Sequence, residues 1–447
     1  MSKNWIKGIY ALSMLAVPMM AQAKQWSLQD CINYALQNNI TIQKNHLQRL
    51  SANEDVLESK AQLLPSLSAS TNQNLAYTPW VESGIVSSDG YSRASIAKVS
   101  YNGSYGINGS WTIWNGNRNK NTIKLNQLIA EKASIDSMTT AQSIQEQIAQ
   151  FYIQILYSTE AINVNKENLK ISQENETRGK EMYVVGKMSK ADVAQLEAQT
   201  AQDQYNVVSA ESNTRNYKRQ LKQLLQIAND DPFDIVIPTM SDAQALGTIP
   251  ALNGIYAAAL DNRPEIKSYQ NAINQGDLNI QIAKAKNLPT ISANAGISTS
   301  TTTMNTLNWS RQLKTNMNVG AGITVSVPIF DNRAKKTAYN KAIIARNESI
   351  LDLKNEQTTL YSTIENYWLQ ATTNQNQYKA AQISTSSAKT SYELLSEQFK
   401  VGLKNVSELR TGKSNLLTSE QNELQSKYLT IYNLEMLNFY QNGTLIK

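Results

Sequence analysis

Leu63-Leu64-Pro65-Ser66-Leu67-Ser68-Ala69 and Asn287-Leu288-Pro289-Thr290-Ile291-Ser292-Ala293 read as two copies of one segment, 224 positions apart. The same shift pairs Ala35 and Asn38 with Ala259 and Asn262. Further along, Ser110-Trp111-Thr112-Ile113-Trp114 matches Ser326-Val327-Pro328-Ile329-Phe330 at a shift of 216, and Val185-Gly186 matches Val401-Gly402 at the same 216. The halves therefore align with a single length change of eight residues, between Pro65 and Trp114, where a loop is expected. A chain of this kind folds as two copies of one unit, and each local signal can be read twice.

The proline pattern shows what the unit contains. None of the nine prolines lies between Asn115 and Asp231 or after Pro328; four fall in the connection, at Pro232, Pro238, Pro250 and Pro264. Proline breaks helix interiors, so both tracts are free to be helical. Helices over 117–183 and 333–399 would each reach ~100 Å at the rise of an α-helix. In the first, Ile148, Ile155, Ile162 and Leu169 recur every seven residues, with Ile144 and Phe151 between them, as in a coiled-coil seam. Asn, Gln, Ser and Thr fill the other faces. Sparse apolar residues favour narrow seams and a hollow ring, although periodicity alone also allows a solid bundle. Each tract then reverses. Gly186 and Gly402 stand where a helix ends on a left-handed residue, and Ser189-Lys190-Ala191-Asp192 and Asn405-Val406-Ser407-Glu408 read as capping boxes that start return helices.

Ahead of each tract the period changes to two. Val319, Ala321, Ile323, Val325 and Val327 alternate with Asn318, Gly320, Gly322, Thr324 and Ser326. Ile291, Ala293, Ala295 and Ile297 oppose Thr290, Ser292, Asn294 and Ser298, and Tyr105, Ile107 and Trp111 oppose Asn108, Ser110 and Thr112. A soluble sheet on a core would show the same alternation. Three features favour membrane strands. The polar faces carry almost no charge, the segments have the length of a tilted membrane strand, and aromatics stand near their ends: Trp111, Trp114 and Phe330 at one side, Tyr77, Trp80, Tyr91 and Trp309 toward the other. Four strands cannot close a barrel, and open edges are not tolerated in lipid, so this reading requires several copies to pool their strands.

The first residues read as a signal peptide: Lys3 and Lys7, an apolar run from Gly8 to Met20, and Ala21-Gln22-Ala23 before a mature start at Lys24. Lys24 is not a cysteine, so a lipid anchor there is not expected. Loss of the two lysines takes the formal charge from +6 to +4, too mild to argue for nucleic acid. With one histidine, His46, and one cysteine, Cys31, the usual nucleophile–base pairs and zinc sites lack material. His46 is expected on a helix surface and Cys31 in a core. Asn115-Gly116-Asn117 is no phosphate cradle. No catalytic residue, metal site or cofactor is expected.

Over the whole mature chain the residues resemble the TolC-type outer-membrane efflux family. The resemblance rests on Trp26-Ser27-Leu28, Ala35-Leu36 and Asn38-Asn39; on Ala259-Leu260-Asp261-Asn262-Arg263-Pro264-Glu265-Ile266; on Leu64-Pro65 and Leu288-Pro289; and on Gly186-Lys187-Met188-Ser189-Lys190-Ala191-Asp192-Val193. It implies an all-α barrel of long coiled-coil helices joined to a transmembrane β-barrel, each protomer of a homotrimer giving four strands. The expected organisation is a signal peptide at 1–23, an opening helix at 24–64, a hairpin with an extracellular loop at 65–116 and a long helix hairpin at 117–227. A linker or equatorial segment follows at 228–252, then the second opening helix at 253–288, hairpin with loop at 289–331 and helix hairpin at 332–447. The implied partners are outer-membrane lipid, a periplasmic adaptor and an inner-membrane pump. By resemblance, the adaptor-contact tips are Val185, Gly186, Lys187 and Ser189, and Val401, Gly402, Leu403 and Asn405. The implied periplasmic gate uses Glu408 and Asp192, with Thr411 where a second acid often stands. The function expected is gated passive export; a soluble periplasmic coiled-coil adaptor or scaffold is the competing reading.

Overall fold

The computed structural model describes residues 25–80, 85–87, 90–92, 98–228, 233–238 and 240–445. The signal-peptide reading of 1–23 lies outside them. The chain begins with β1 (Gln25–Trp26), α1 (Leu28–Asn38) and α2 (Ile40–Ala61), then β2 (Ser66–Tyr77), the small pair β3 (Ile85–Ser87) and β4 (Gly90–Ser92), and β5 (Val99–Trp114). The long helix α3 (Arg118–Val184) and its return α4 (Lys190–Leu224) complete the first half. A connection with β6 (Asp234–Ile235) and α5 (Asp242–Ala245) leads to α6 (Leu252–Asn262), α7 (Pro264–Ala285), β7 (Thr290–Thr302), α8 (Trp309–Thr315), β8 (Asn318–Ser326), α9 (Ala334–Lys400) and α10 (Val406–Asn442).

The duplication is a structural one. Shifted by 224, α1 and α2 fall on α6 and α7, and shifted by 216, α3 falls on α9 end for end. Each opening segment differs from expectation: it is two helices, broken at Asn39 and Arg263, which the 224 shift pairs. At Asn39 the side chain caps the second helix through Thr41 N, 2.9 Å. At Arg263 the next residue is Pro264, which has no N–H for helix continuation. Buried Arg263 also ties the break to the rest of the molecule. It donates to Glu265 (2.6 Å) and to Glu146 of α3 (3.2 Å) and lies 4.3 Å from the centroid of the Tyr440 ring of α10. Burial pushes the Glu146 carboxyl up, against the pull of Arg263.

The sheet is antiparallel, in the order β2-β5-β7-β8. Its register places Leu67 opposite Gly109, Ile107 opposite Ile297, Ile297 opposite Val319 and Ile291 opposite Val325. The large apolar side chains therefore gather on one face across four strands. The other face is assembled from Ser68, Asn108, Ser110, Asn294, Ser298, Gly322 and Thr324. Residues of both faces are exposed, and β8 is exposed along its whole length. The soluble-sheet alternative needs a protein core under the apolar face; among the described residues no core cluster lies there, and α8 covers its outer end. The edges β2 and β8 pair with nothing further among the described residues.

At the foot of the sheet the chain turns sharply into the long helices. Gly116 (φ 69°) and Asn117 (φ 66°) are both left-handed, as are Asn332 (φ 52°) and Arg333 (φ 70°) in the second copy. Side chains then secure the first turn: Asn115 accepts from Asn119 N (3.2 Å) and Asp331 from Lys335 N (2.9 Å).

Helices α3 and α9 have 67 residues each, ~100 Å at 1.5 Å per residue. The main core lies at their middle, where Ile144, Ile148, Ile155 and Leu156 meet Cys31 and Ala35 of α1, Ile364 of α9 and Leu437 and Phe439 of α10. Residues 233–238 and 240–249 bind around this level. β6 pairs with β1, Ile235 is buried, and Gln375 of α9 donates to the Ala245 and Gly247 carbonyls at 3.1 and 2.8 Å. Past Ser158 the buried line of α3 departs from the heptad reading. Asn165, Asn168 and Ser172 are buried, while Ile162 and Leu169 are only half-buried. A straight helix drifts ~20° per heptad from a strict seven-residue repeat. The apolar stripe thus rotates out of the seam and polar residues rotate in. His46 is exposed, beside Arg49.

Candidate functional site

The helix ends farthest from the sheet carry the residues singled out by sequence. After α3 the chain closes a Schellman turn: Gly186 N donates to the Tyr183 carbonyl (3.0 Å) and Lys187 N to that of Met182 (2.8 Å). After α9, Gly402 N donates to Phe399 O (3.0 Å) and Leu403 N to Gln398 O (2.9 Å). Gly186 and Gly402 have φ of 74° and 80°, and a Cβ on either would meet nothing within 4 Å. The glycines are therefore demanded by backbone conformation alone, and the tips stand clear of the rest of the chain. Apolar side chains crowd these exposed turns. Val184 is 83 %, Leu403 75 % and Val401 71 % exposed, and Val185 and Lys187 are exposed beside them.

The return helices start from side-chain caps. Asn405 and Glu408 make the complete box: Glu408 N donates to Asn405 Oδ1 (2.9 Å) and Asn405 N to Glu408 Oε2 (3.1 Å). Ser189 and Asp192 make half of it, a correction to the sequence reading. Asp192 N donates to Ser189 Oγ (3.1 Å), but the Asp192 carboxylate takes the Ser189 hydroxyl (2.7 Å) instead of its backbone N–H. Glu408 is also paired with Lys404 at 2.6 Å. That ammonium, with the Asn405 N–H, holds the Glu408 carboxyl below the usual range. Thr411 is exposed, its hydroxyl turned back to the Ser407 carbonyl at 2.9 Å.

Behind the tips the two hairpins are joined. Leu196 of α4 packs with Tyr392 and Phe399 of α9 and with Val406, Leu409 and Leu416 of α10. Within each hairpin the helices touch through a glycine and a leucine. A Cβ on Gly179 would lie 2.4 Å from Leu196 Cδ1, and one on Gly412 would lie 2.6 Å from Leu395 Cδ1. The 216 shift places Leu395 on Gly179 and Gly412 on Leu196, so the duplicated halves use the same contact with its members exchanged.

Deeper still lies a charged cluster that sequence reasoning missed. Lys413 of α10 and Asp203 of α4 form an ion pair with side chains only 4 % and 2 % exposed. The Lys413 ammonium also donates to Ser172 Oγ and to the Asn168 carbonyl of α3, the latter at 2.7 Å. Ser172 Oγ donates to Asp203 Oδ2 (2.6 Å), and Gln199 donates to Asp203 Oδ1 (3.1 Å). Burial pulls the Lys413 amine down, with the Asp203 carboxylate opposing. Every polar atom of the pair is thus satisfied, and one ammonium bonds helices of both repeats. The available signal was a charge in an apolar slot. Lys413 interrupts the seam Val406, Leu409, Leu416, and Asp203 follows Leu196 by seven residues.

Among the described residues no group of His, Cys, Asp and Glu could hold a metal ion, and no helix is long and apolar enough to cross a membrane. What the molecule offers is a two-faced sheet with free edges, continuous with long helices that end in protruding tips.

Comparison with known proteins gives a consistent picture. The family described as Outer membrane efflux protein matches residues 31–226 and 255–442. Toxin and drug export protein A of Aggregatibacter actinomycetemcomitans is 24 % identical over 313 residues, 68 % of this chain and 64 % of that protein. The match thus spans a little under two thirds of that relative. The solved structure of CusC superimposes with a TM-score of 0.79 at 16 % identity, covering 93 % of this chain and 92 % of that one. The CmeC outer membrane channel of Campylobacter jejuni gives 0.75 at 19 %, covering 94 % and 86 %. VceC of Vibrio cholerae gives 0.75 at 13 %, covering 94 % and 97 %. At these identities the structural likeness establishes the fold.

Proposed function

Since the chain belongs to the outer membrane efflux protein family, we propose that it is the outer-membrane channel subunit of an export machine and acts as a gated passive duct. The observation that carries this is the sheet. Among the described residues no hydrophobic core lies beneath its apolar face, which α8 touches at the outer end; its polar face is uncharged, and both edges are unpaired. In lipid such edges must be closed, and three copies of a four-stranded sheet make a twelve-stranded cylinder. The small polar side chains then line a wet lumen, and α3, α4, α9 and α10 extend it as a helical barrel into the periplasm. A soluble adaptor or scaffold would have no use for these strands.

The duct supplies no energy. A periplasmic adaptor would seat on the tips, through Val185, Gly186, Lys187 and Ser189 and through Val401, Gly402, Leu403 and Asn405, and an inner-membrane pump would drive the cargo. Exposed valines and a leucine on glycine-set turns suit docking against another apolar helical tip. Asp192 and Glu408 stand six residues after Gly186 and Gly402, so threefold symmetry would repeat them around the mouth. Adaptor binding would favour an open arrangement of the tips over the closed one.

Fractionation tests the duct. The protein is expected in the outer membrane as trimers captured by crosslinking; a soluble monomer would refute it. Glu408→Gln tests the gate, since the amide keeps an oxygen for the cap and removes the charge. Conductance of the isolated channel is expected to rise. An unchanged trace assigns Glu408 to capping alone.

A further inference from the structure

The outer end of the sheet has a feature the duct does not require. Across 66–80, 98–114 and 290–330 the charged side chains are Lys98, Arg311 and Lys314, with no Asp or Glu. All three lie at the end away from the helices.

The connection bearing Arg311 and Lys314 is firmly placed. Pairing of β7 with β8 stops at Ser298–Asn318, while β7 runs on to Thr302 beside β5. The segment between them folds back along this overhang. Gln312, only 3 % exposed, accepts from Thr302 N (2.7 Å) and donates to the Leu307 carbonyl (2.7 Å). Thr299 Oγ1 donates to the Leu313 carbonyl (2.7 Å), and Asn316 to that of Ser300 (2.7 Å). The Trp309 ring meets Tyr105 edge-on at 6.2 Å.

These contacts decide which side of the sheet α8 occupies. Tyr105 and Thr299 are cross-strand partners, and along their strands they alternate in step with Ile107 and Ile297. They belong to the apolar face, so α8 lies on the outside of the cylinder and not over its mouth. At helical spacing, Arg311 and Lys314 sit on the side of α8 away from buried Gln312. Both are exposed, and neither makes an ion pair among the described residues. Trp309, 56 % exposed, stands beside them at the margin of the apolar band. Tryptophan favours that interfacial depth, and guanidinium and ammonium groups favour phosphate.

We propose that α8 is a lateral docking platform for phosphate-bearing lipid of the outer leaflet, with Arg311 and Lys314 on the phosphates and Trp309 at the acyl boundary. The platform rests on the duct reading, because only a cylinder in a membrane presents this face to lipid. Its rigidity is the functional point: the Gln312 hub holds the two cations ready on the folded sheet, so lipid binding does not have to order a loop.

The test uses purified full-length trimers in zwitterionic detergent, titrated with bisphosphorylated lipid A at low and high salt. Wild type is expected to bind in a salt-sensitive way, and Arg311→Gln with Lys314→Gln to bind on the order of tenfold more weakly. Exchange to Arg311→Lys with Lys314→Arg should retain binding. Phosphatidylcholine should not distinguish the variants, and inorganic phosphate should not compete. Equal lipid A affinity in the Gln variant overturns the platform, as does effective competition by inorganic phosphate, which would mean a free-anion site. Failure to find trimers in the membrane at all would sink the duct reading instead; trimers with lipid binding indifferent to both cations sink only this one.

Discussion

Lys413→Ala is expected to loosen the joint between the two helix hairpins by about 3–5 kcal/mol, the penalty for stranding one member of a buried pair. The reason is geometric. Asp203 has almost no access to water, and among the described residues the ammonium is the only cation paired with it. Ser172 and Gln199 would remain as donors, but neither neutralises a carboxylate. Alanine also leaves the Asn168 carbonyl without the Lys413 donor. Replacing both charges, with Lys413→Met and Asp203→Leu, should recover most of the loss, since well-packed apolar pairs commonly match buried ion pairs in stability. Thermal melting of the three proteins reads this directly. The pair lies behind the tips and links α10 to α3 and α4, so the single variant should also leak more current as an isolated channel. A Lys413→Ala protein that melts with wild type would mean that water reaches Asp203.

Gly402→Pro is expected to abolish export while trimers still insert. Proline holds φ near −65°, whereas Gly402 needs 80°. The substitution also deletes the N–H that donates to Phe399 and disfavours the near-helical conformation of Val401 before it. Together these cost about 3 kcal/mol or more, concentrated in one turn. A Cβ on Gly402 meets nothing within 4 Å, so the disturbance stays in the tip turn, far from the sheet. Gly402→Ala keeps the N–H and pays only for the left-handed residue, ~1 kcal/mol, so it should retain most export. Resistance to an exported toxic compound, scored beside trimer yield, separates the cases. Full resistance in the proline variant would show that the second tip does not take part in docking.

Some of this molecule is legible in one dimension because its signals are local. Proline-free tracts marked 117–183 and 333–399, and the helices run over 118–184 and 334–400. Alternation named both faces of the strands. The glycine and Asn405–Glu408 signatures placed the tip turns, since φ and caps depend on neighbours in sequence. The opening helices were harder. Asn39 and Arg263 end helices through a side-chain cap and a following proline, and a helical period alone runs straight across such breaks. The outward fold of α8 was illegible, because Gln312 reads as any polar loop residue until Thr302 and Leu307 surround it.

By itself the sequence determined the doubled architecture, the two-faced strands, the reach of the helices and where they reverse, since periodicity, proline and glycine act within a few residues of themselves. Only the tertiary structure decided that polar Asn165, Asn168 and Ser172 replace the heptad near the tips, that glycine and leucine exchange places between the repeats, and that Lys413 finds Asp203. Those outcomes depend on how helices far apart in the chain rotate against one another, a degree of freedom no single helix pattern contains.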